Sequence, residues 1–101
     1  MVVLRYLVVW TKLSQQHLRK AYDYITITSD QNAEKVVKEI VLSVNKAIIN
    51  AEIYPADKYK LNNDGSYRAF EKHRYRISYR FTNKIIRILR VRHTSMEPKE
   101  Y

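Results

Sequence analysis

The chain has 101 residues, which is the size of one domain and leaves no room for a second. Hydrophobic residues make up 46% of it and charged residues 29%, a balance that supports a compact core and excludes global disorder. Cysteine is absent, which excludes disulfide bonds and thiolate metal sites and suits a reducing compartment. We therefore expect a single cytoplasmic domain that spans residues 1–101.

The positive charge of the chain is concentrated in one segment. The net charge is +9, and residues 58–92 alone hold eleven lysines and arginines against Asp64 and Glu71. Such a concentration predicts an anionic partner, which could be RNA, DNA or an acidic protein. The alternative is a basic face that is only solvated.

The first half of the sequence predicts a strand followed by two helices. Residues 3–9 are rich in β-branched side chains and predict a strand buried on both faces, because the stretch is too short for a membrane span and carries an arginine. Ser14 is the predicted N-cap of the first helix, and Ser29 or Asp30 that of the second. A 3.6-residue apolar period continues until Pro55, which should end the second helix and complete a helix hairpin.

The second half predicts three strands after a polar loop at residues 56–66. The strands are expected at residues 67–72, 75–82 and 85–92. The middle run alternates, so that one face carries Tyr75, Ile77, Tyr79 and Phe81. In the last run, strict alternation puts Arg90 and Arg92 on the same face as two isoleucines. Both faces of that strand are therefore expected to meet apolar groups.

Together these elements predict an α+β domain of order β-α-α-β-β-β. Its mainly antiparallel four-stranded sheet should carry the helix hairpin on one face and an arginine-rich, concave surface on the other. No metal or cofactor is expected, because the three histidines lack zinc-ligand spacing and the single glycine lies in a turn. No association with a membrane is expected either.

Arginine and tyrosine carry the remaining chemistry of the sequence. Guanidinium groups bind phosphate oxygens in a bidentate fork, and aromatic rings stack on bases. Tyrosines alternate along the predicted strands with the candidate arginines, which are Arg68, Arg76, Arg80, Arg90 and Arg92. For Tyr75 and Tyr79, packing in the core is the favoured interpretation. For the arginines, the alternative is that they are only solvated.

Three short motifs follow one another in residues 67–101. They are Tyr-Arg-Ala-Phe at 67–70, Tyr-Arg-Ile-Ser-Tyr at 75–79 and Ile-Leu-Arg-Val-Arg-His-Thr-Ser-Met-Glu-Pro at 88–98. In this order they resemble the C-terminal half of RelE/ParE superfamily toxins of bacterial type II toxin–antitoxin (plasmid stabilization) systems. The opening Trp-Thr-Lys-Leu at 10–13 and the two helices match the usual first half of such toxins.

The resemblance implies a growth-inhibiting toxin that a labile acidic antitoxin holds inactive. Two activities occur in the superfamily. RelE-like members are mRNA interferases that cut messenger RNA at the ribosome without a metal, because the ribose 2′-hydroxyl attacks its own phosphate. ParE-like members do not cut RNA and poison DNA gyrase. Whether this chain is an enzyme stays open, and a further alternative is a non-toxic or decayed RNA-binding relative.

The resemblance also assigns candidate roles to individual residues. Arg76 matches the arginine that RelE-like enzymes place at the scissile phosphate, and Arg68 matches a basic position on the preceding strand. His93 lies close to the catalytic histidine of some relatives, and Tyr101 falls near a terminal tyrosine that stacks on a base. Further contacts to RNA phosphates are expected from Arg80, Arg90, Arg92 and Lys60.

Two residues depart from the pattern of the RelE-like enzymes. Met96 stands where relatives with this tail often carry arginine, and Phe70 where the enzymes have a second lysine. The glutamate that serves as base in some relatives has no clear counterpart in this sequence.

Overall fold

The computed structural model describes residues 5–96 and 98–101. The elements in chain order are β1 (Leu7–Trp10), α1 (Lys12–Thr26), α2 (Asp30–Asn45), a 3-10 turn (Lys46–Ile48), β2 (Tyr67–Lys72), β3 (Tyr75–Thr82) and β4 (Ile85–His93). The strands form one sheet of order β1-β4-β3-β2, in which β1 runs parallel to β4 and the other pairs are antiparallel. The predicted α+β fold is confirmed.

Strand β1 is shorter and more exposed than the sequence predicted. Residues 3 and 4 of the predicted strand lie outside the described residues, and the strand begins at Leu7. Leu7 and Val9 lie on the exposed side of β1, and 65% of the Leu7 surface is exposed. Val8 and Trp10, on the other side, pack against the core. The prediction of burial on both faces is wrong because β1 is an edge strand with helices on one side only.

Helix α1 begins earlier than expected, after Thr11 instead of Ser14. The Thr11 side chain accepts a hydrogen bond from the Ser14 amide at 3.2 Å, and its hydroxyl donates to the Ile88 carbonyl at 2.6 Å. The N-cap therefore also ties the helix to β4. The predicted cap of α2 is confirmed, since the Ser29 side chain accepts from the Asn32 amide at 3.1 Å.

Helix α2 ends at Asn45, well before Pro55. The chain tightens into the 3-10 turn, and the Ile48 carbonyl accepts a hydrogen bond from the Tyr6 amide at 2.6 Å. The chain after α2 is thus joined to the segment before β1, and Ala47 and Ala51 continue the buried apolar stripe beyond the helix. Among the described helices, none is long and apolar enough to cross a membrane.

The core lies between the helix hairpin and one face of the sheet. From β3 it takes Tyr75, Ile77 and Tyr79, all of them buried, as the alternation of that strand predicted. The hydroxyl of Tyr79 donates to the Ala51 carbonyl at 2.6 Å, which satisfies its only polar group. The interpretation of Tyr75 and Tyr79 as core residues is confirmed.

A β-bulge in β4 changes which of its side chains face the helices. Ser78 pairs with Arg90 and Tyr79 with Ile88, which leaves Leu89 as an extra residue. The alternation therefore shifts at this point, so that Val91 joins Ile88 in the core. Arg90 and Arg92 face the opposite side, and the expectation that they share a face with the isoleucines is wrong.

Candidate functional site

The strand register brings most of the predicted arginines together on the sheet face away from the helices. Arg76 lies opposite Arg92, Ser78 opposite Arg90, and Arg80 opposite Arg87. We call this surface the arginine face and define it by Arg76, Arg80, Arg87, Arg90 and Arg92. Arg87 was not among the predicted site residues, although its alternation with Ile86 and Ile88 in the sequence is consistent with this position.

Arg68 lies on the other side of the sheet. It pairs with Tyr79, so its side chain extends toward the helices. Its Nε donates to the Gly65 carbonyl at 2.8 Å and its Nη1 to the Tyr54 carbonyl at 3.2 Å. Gly65 has a φ of +96°, a conformation that favours glycine. Arg68 therefore braces the loop before β2 and is separated from the other predicted arginines.

A buried carboxylate, Asp57, lies against the arginine face. Its side chain is 0% exposed, and its Oδ1 accepts from Arg76 Nη2 at 2.8 Å and from the Tyr59 amide at 3.1 Å. Its Oδ2 accepts from the Tyr101 hydroxyl at 2.6 Å. Burial by itself raises the pKa of Asp57, but the hydrogen bonds from Tyr101 and Arg76 outweigh it and hold the pKa below its usual value. The sequence offered no signal for Asp57 beyond its place just before the basic segment.

Residues 99–101 lie across the arginine face. The Tyr101 amide donates to the Tyr59 carbonyl at 3.1 Å, and the Tyr101 carbonyl accepts from the Leu61 amide at 2.7 Å. The Arg90 guanidinium stacks 4.0 Å from the Tyr101 ring centroid and donates to the Lys99 carbonyl at 2.7 Å. Burial, and next the contact with Asp57, raises the pKa of Tyr101. The ring predicted to stack on a base therefore stacks on an arginine of its own chain.

Lys60 and Arg80 lie at one side of the same surface, where both contact the Tyr67 ring. The Lys60 ammonium is 4.7 Å from the Tyr67 ring centroid, and Nζ donates to the Leu61 carbonyl at 2.9 Å. The Arg80 guanidinium also contacts the Tyr67 ring, 4.8 Å from its centroid, and Arg80 Nε donates to the Ser66 hydroxyl at 3.2 Å. Both cations are thus held by groups of the loop before β2.

His93 lies at the end of β4 beside Tyr75, whose ring it meets edge-on with the centroids 5.0 Å apart. Its Nδ1 accepts from the Ser95 amide at 3.0 Å, so the neutral ring carries its proton on Nε2. His93, Arg76 and Arg92 border one hollow of about 60 Å³. One water occupies about 30 Å³ in the liquid, so this hollow is far smaller than a nucleotide.

The described residues contain no group of three or more histidines and carboxylates that could hold a metal ion. His73, the third histidine, is hydrogen-bonded to Glu39 of α2 on an exposed part of the surface.

Comparison with known proteins places the chain in a family. The family model described as "ParE toxin of type II toxin-antitoxin system, parDE" matches residues 8–98. The chain belongs to the ParE toxin family. Among curated protein sequences, none is significantly similar to it.

Solved structures of toxin–antitoxin systems share the fold of this ParE-family chain. A chain of the chromosomal ParDE system from P. aeruginosa is similar with a TM-score of 0.69 and 23% identity, over 91% of this chain and 98% of that one. A chain of the RelBE2 toxin–antitoxin complex from Mycobacterium tuberculosis is similar with a TM-score of 0.62 and 18% identity, over 91% and 94%. Both similarities concern the fold.

The ParE-family chain thus combines a centre of arginines bound largely by the chain itself with exposed basic side chains. Within the centre, the buried Arg76 Nε has no hydrogen-bond partner. The guanidinium groups of Arg76, Arg80 and Arg90 are bound by carboxylate, hydroxyl, carbonyl and aromatic groups of the chain itself. The exposed basic side chains in the same half of the chain, which we call the basic margin, are Lys58, Arg74, Lys84, Arg87 and Lys99. Exposed cations around a preformed centre suit an extended anionic surface more than a single reacting phosphate.

Proposed function

We propose that this chain arrests bacterial growth as the toxin of a type II toxin–antitoxin pair, and that its target is DNA gyrase rather than messenger RNA. A cognate acidic antitoxin would neutralise it in the cytoplasm by covering the basic margin of the arginine face. Membership of the ParE family and the fold shared with chains of ParDE and RelBE2 complexes support the antitoxin partner.

The ion pair between Arg76 and Asp57 is the observation that favours gyrase over messenger RNA as the target. Cleavage of RNA by its own 2′-hydroxyl needs a cation available to the charged phosphorane, together with a proton acceptor and a proton donor. The Arg76 side chain is only 17% exposed and donates to the fully buried Asp57 carboxylate and to Glu71. A guanidinium bound in this way supports the structure and is poorly placed to receive a phosphate. This arrangement favours the ParE-like, non-cleaving activity.

Metal-independent cleavage of messenger RNA is the second candidate, and one observation favours it. Arg76 and His93 border the same hollow, so a cation and a proton carrier lie near one another. The hollow would have to widen to admit a nucleotide, which requires residues 99–101 to leave the arginine face.

The test is induced expression of the chain in bacteria, with growth, DNA breaks and the 5′ ends of transcripts followed in the same cultures. We expect growth arrest with DNA breaks, a DNA-damage response and intact transcripts. Co-expression of the protein encoded by the adjacent reading frame should restore growth. Codon-linked transcript cuts that disappear in His93→Gln and persist in the control His73→Gln would establish cleavage instead. Normal growth, together with salt-sensitive RNA binding, would identify a non-toxic relative.

A further inference from the structure

A second concavity lies on the helix side of the sheet, away from residues 99–101. It is a pocket of about 550 Å³ between α1 and the ends of β3 and β4. Its walls include His17, Lys20, Tyr24, Tyr75, Arg92 and His93. Small-molecule pockets span about 300 to 1,000 Å³, so this one has room for a nucleotide, unlike the hollow on the arginine face.

Two histidines in the wall present the same nitrogen as a donor. His17 Nδ1 accepts from the Val91 amide at 3.1 Å, and His93 Nδ1 accepts from the Ser95 amide at 3.0 Å. A ring whose Nδ1 accepts a hydrogen bond carries its proton on Nε2 when it is neutral. Both of these rings border the pocket, and each keeps an Nε2–H donor when it is neutral.

The described side chains that border the pocket also carry positive charge. Lys20 and Arg92 contribute cations to its walls, and among the described residues that border it none is acidic. The pKa of His17 is lowered first by burial, then by Lys20, Arg92 and Arg90 in that order. Cations on both α1 and β4 thus act on the His17 imidazole. The same positive charges that disfavour its protonation would stabilise a bound anion.

Aromatic rings supply the rest of the wall. Tyr75 is buried and forms the inner side, whereas Tyr24 of α1 leaves 68% of its surface exposed. Burial, and next the neighbouring Tyr24, raises the pKa of Tyr75, so the two phenols lie near each other. An exposed ring beside cationic donors is the combination that holds a base and a phosphate together.

We propose that this pocket binds a nucleoside monophosphate, with the phosphate at His17, Lys20 and Arg92 and the base against Tyr24 and Tyr75. The pocket lies on the helix side of the sheet and shares the Arg92 side chain with the edge of the arginine face. The proposal does not depend on the target of the toxin. Its phosphate donors come from both α1 and β4, so an occupied pocket links the helix hairpin to the end of the sheet.

The test is titration of the purified chain with 5′-AMP, followed by calorimetry and by NMR of the histidine side chains. We expect saturable binding with a Kd below about 1 mM, and a rise in the pKa of His17 as the phosphate offsets the neighbouring cations. Adenosine and inorganic phosphate, which each lack half of the ligand, should bind at least tenfold more weakly. Absence of saturable binding of the nucleotide would overturn the proposal.

Two exposed residues provide variants that leave the fold intact. Lys20→Gln removes one charge-assisted contact and should weaken nucleotide binding by about tenfold, and Tyr24→Leu should do the same through lost stacking. Lys46→Gln and Leu42→Ala are matched controls, because both residues are exposed and lie outside the pocket. If neither Lys20→Gln nor Tyr24→Leu changes the affinity, the nucleotide does not bind in this pocket.

Discussion

The Tyr101 hydroxyl donates a 2.6 Å hydrogen bond to the Asp57 carboxylate across 44 positions of the chain. The other oxygen of the same carboxylate is bound to Arg76. One buried acid thus joins the segment before β2, the start of β3 and the residues that cross the arginine face. Asp57 is thus the buried carboxylate that links the arginine face to residues 99–101.

Replacing Asp57 by asparagine should destabilise the protein. Arg76 would keep only the exposed Glu71 as an anionic partner, and breaking a buried ion pair from one side costs about 3 kcal/mol. The free energy of unfolding, measured by urea denaturation, should fall by this amount. Asp64→Asn is the control, because Asp64 is exposed and 3.9 Å from Arg80, and its effect should be clearly smaller. Equal effects of the two variants would show that the burial of Asp57 does not matter.

Tyr101→Phe should remove one hydrogen bond and keep the ring stacked on Arg90. Loss of a donor to a buried carboxylate costs about 1.5 kcal/mol in the free energy of unfolding. The pKa of Asp57, followed by NMR, should rise toward its ordinary value of 3.8. Because the fold lowers this pKa, Asp57 contributes stability above pH 3.8 that is lost as the pH falls through the folded-state value. The variant should lose less stability on acidification than the parent, and an unchanged Asp57 pKa would contradict the contact.

His17 should make the protein sensitive to mild acid. Its Nδ1 accepts a hydrogen bond from the Val91 amide. Burial, and next the charges of the neighbouring cations, lower the pKa of His17 below 6.5. The unfolded chain therefore binds a proton at a higher pH than the folded chain, so stability is complete above pH 6.5 and declines as the pH falls below it. Urea unfolding at several pH values between 7.5 and 5 should record this decline. His17→Asn keeps an acceptor but has no titrating ring, and it should flatten the curve.

Deletion of Leu89 should leave the fold and register of the sheet intact. Leu89 is the extra residue of the bulge, and without it Ile88 and Arg90 would pair with Tyr79 and Ser78 in regular alternation. The free energy of unfolding should fall by no more than about 2 kcal/mol, as for a half-buried side chain. Deletion of Ser78 is the control, since β3 has no extra residue there and the shift would turn Tyr79 outward. Loss of cooperative unfolding in the Leu89 deletion would show that the bulge is required.

Local patterns predicted the elements with clear periodicity and failed where a distant contact intervened. The limits of β2 and β3 follow from alternation in neighbouring residues, and the cap at Ser29 from a bond within one turn. The chain that follows α2 is joined to Tyr6, which lies 42 positions before Ile48 and donates to its carbonyl. A periodic apolar pattern cannot register such a partner.

The composition of the candidate site was also predictable from the sequence only in part. Grouping of Arg76, Arg80, Arg90 and Arg92 was predictable in part, because their strands were recognisable from the sequence. The position of Arg68 on the helix side depends on its register with Tyr79, and that of Arg90 on the bulge at Leu89. A shift of one residue moves a side chain to the opposite face, so pairing decides the composition of each surface.

The sequence by itself determined the order of the elements, the amphipathic helices and the concentration of positive charge, because each depends on residues close together in the chain. Only the tertiary structure decided what that charge meets. Asp57 acquires its role when chain reversal brings Arg76 and Tyr101 to its two oxygens and buries the carboxylate. Burial of a charge depends on its partners in space, and those partners lie 19 and 44 positions away.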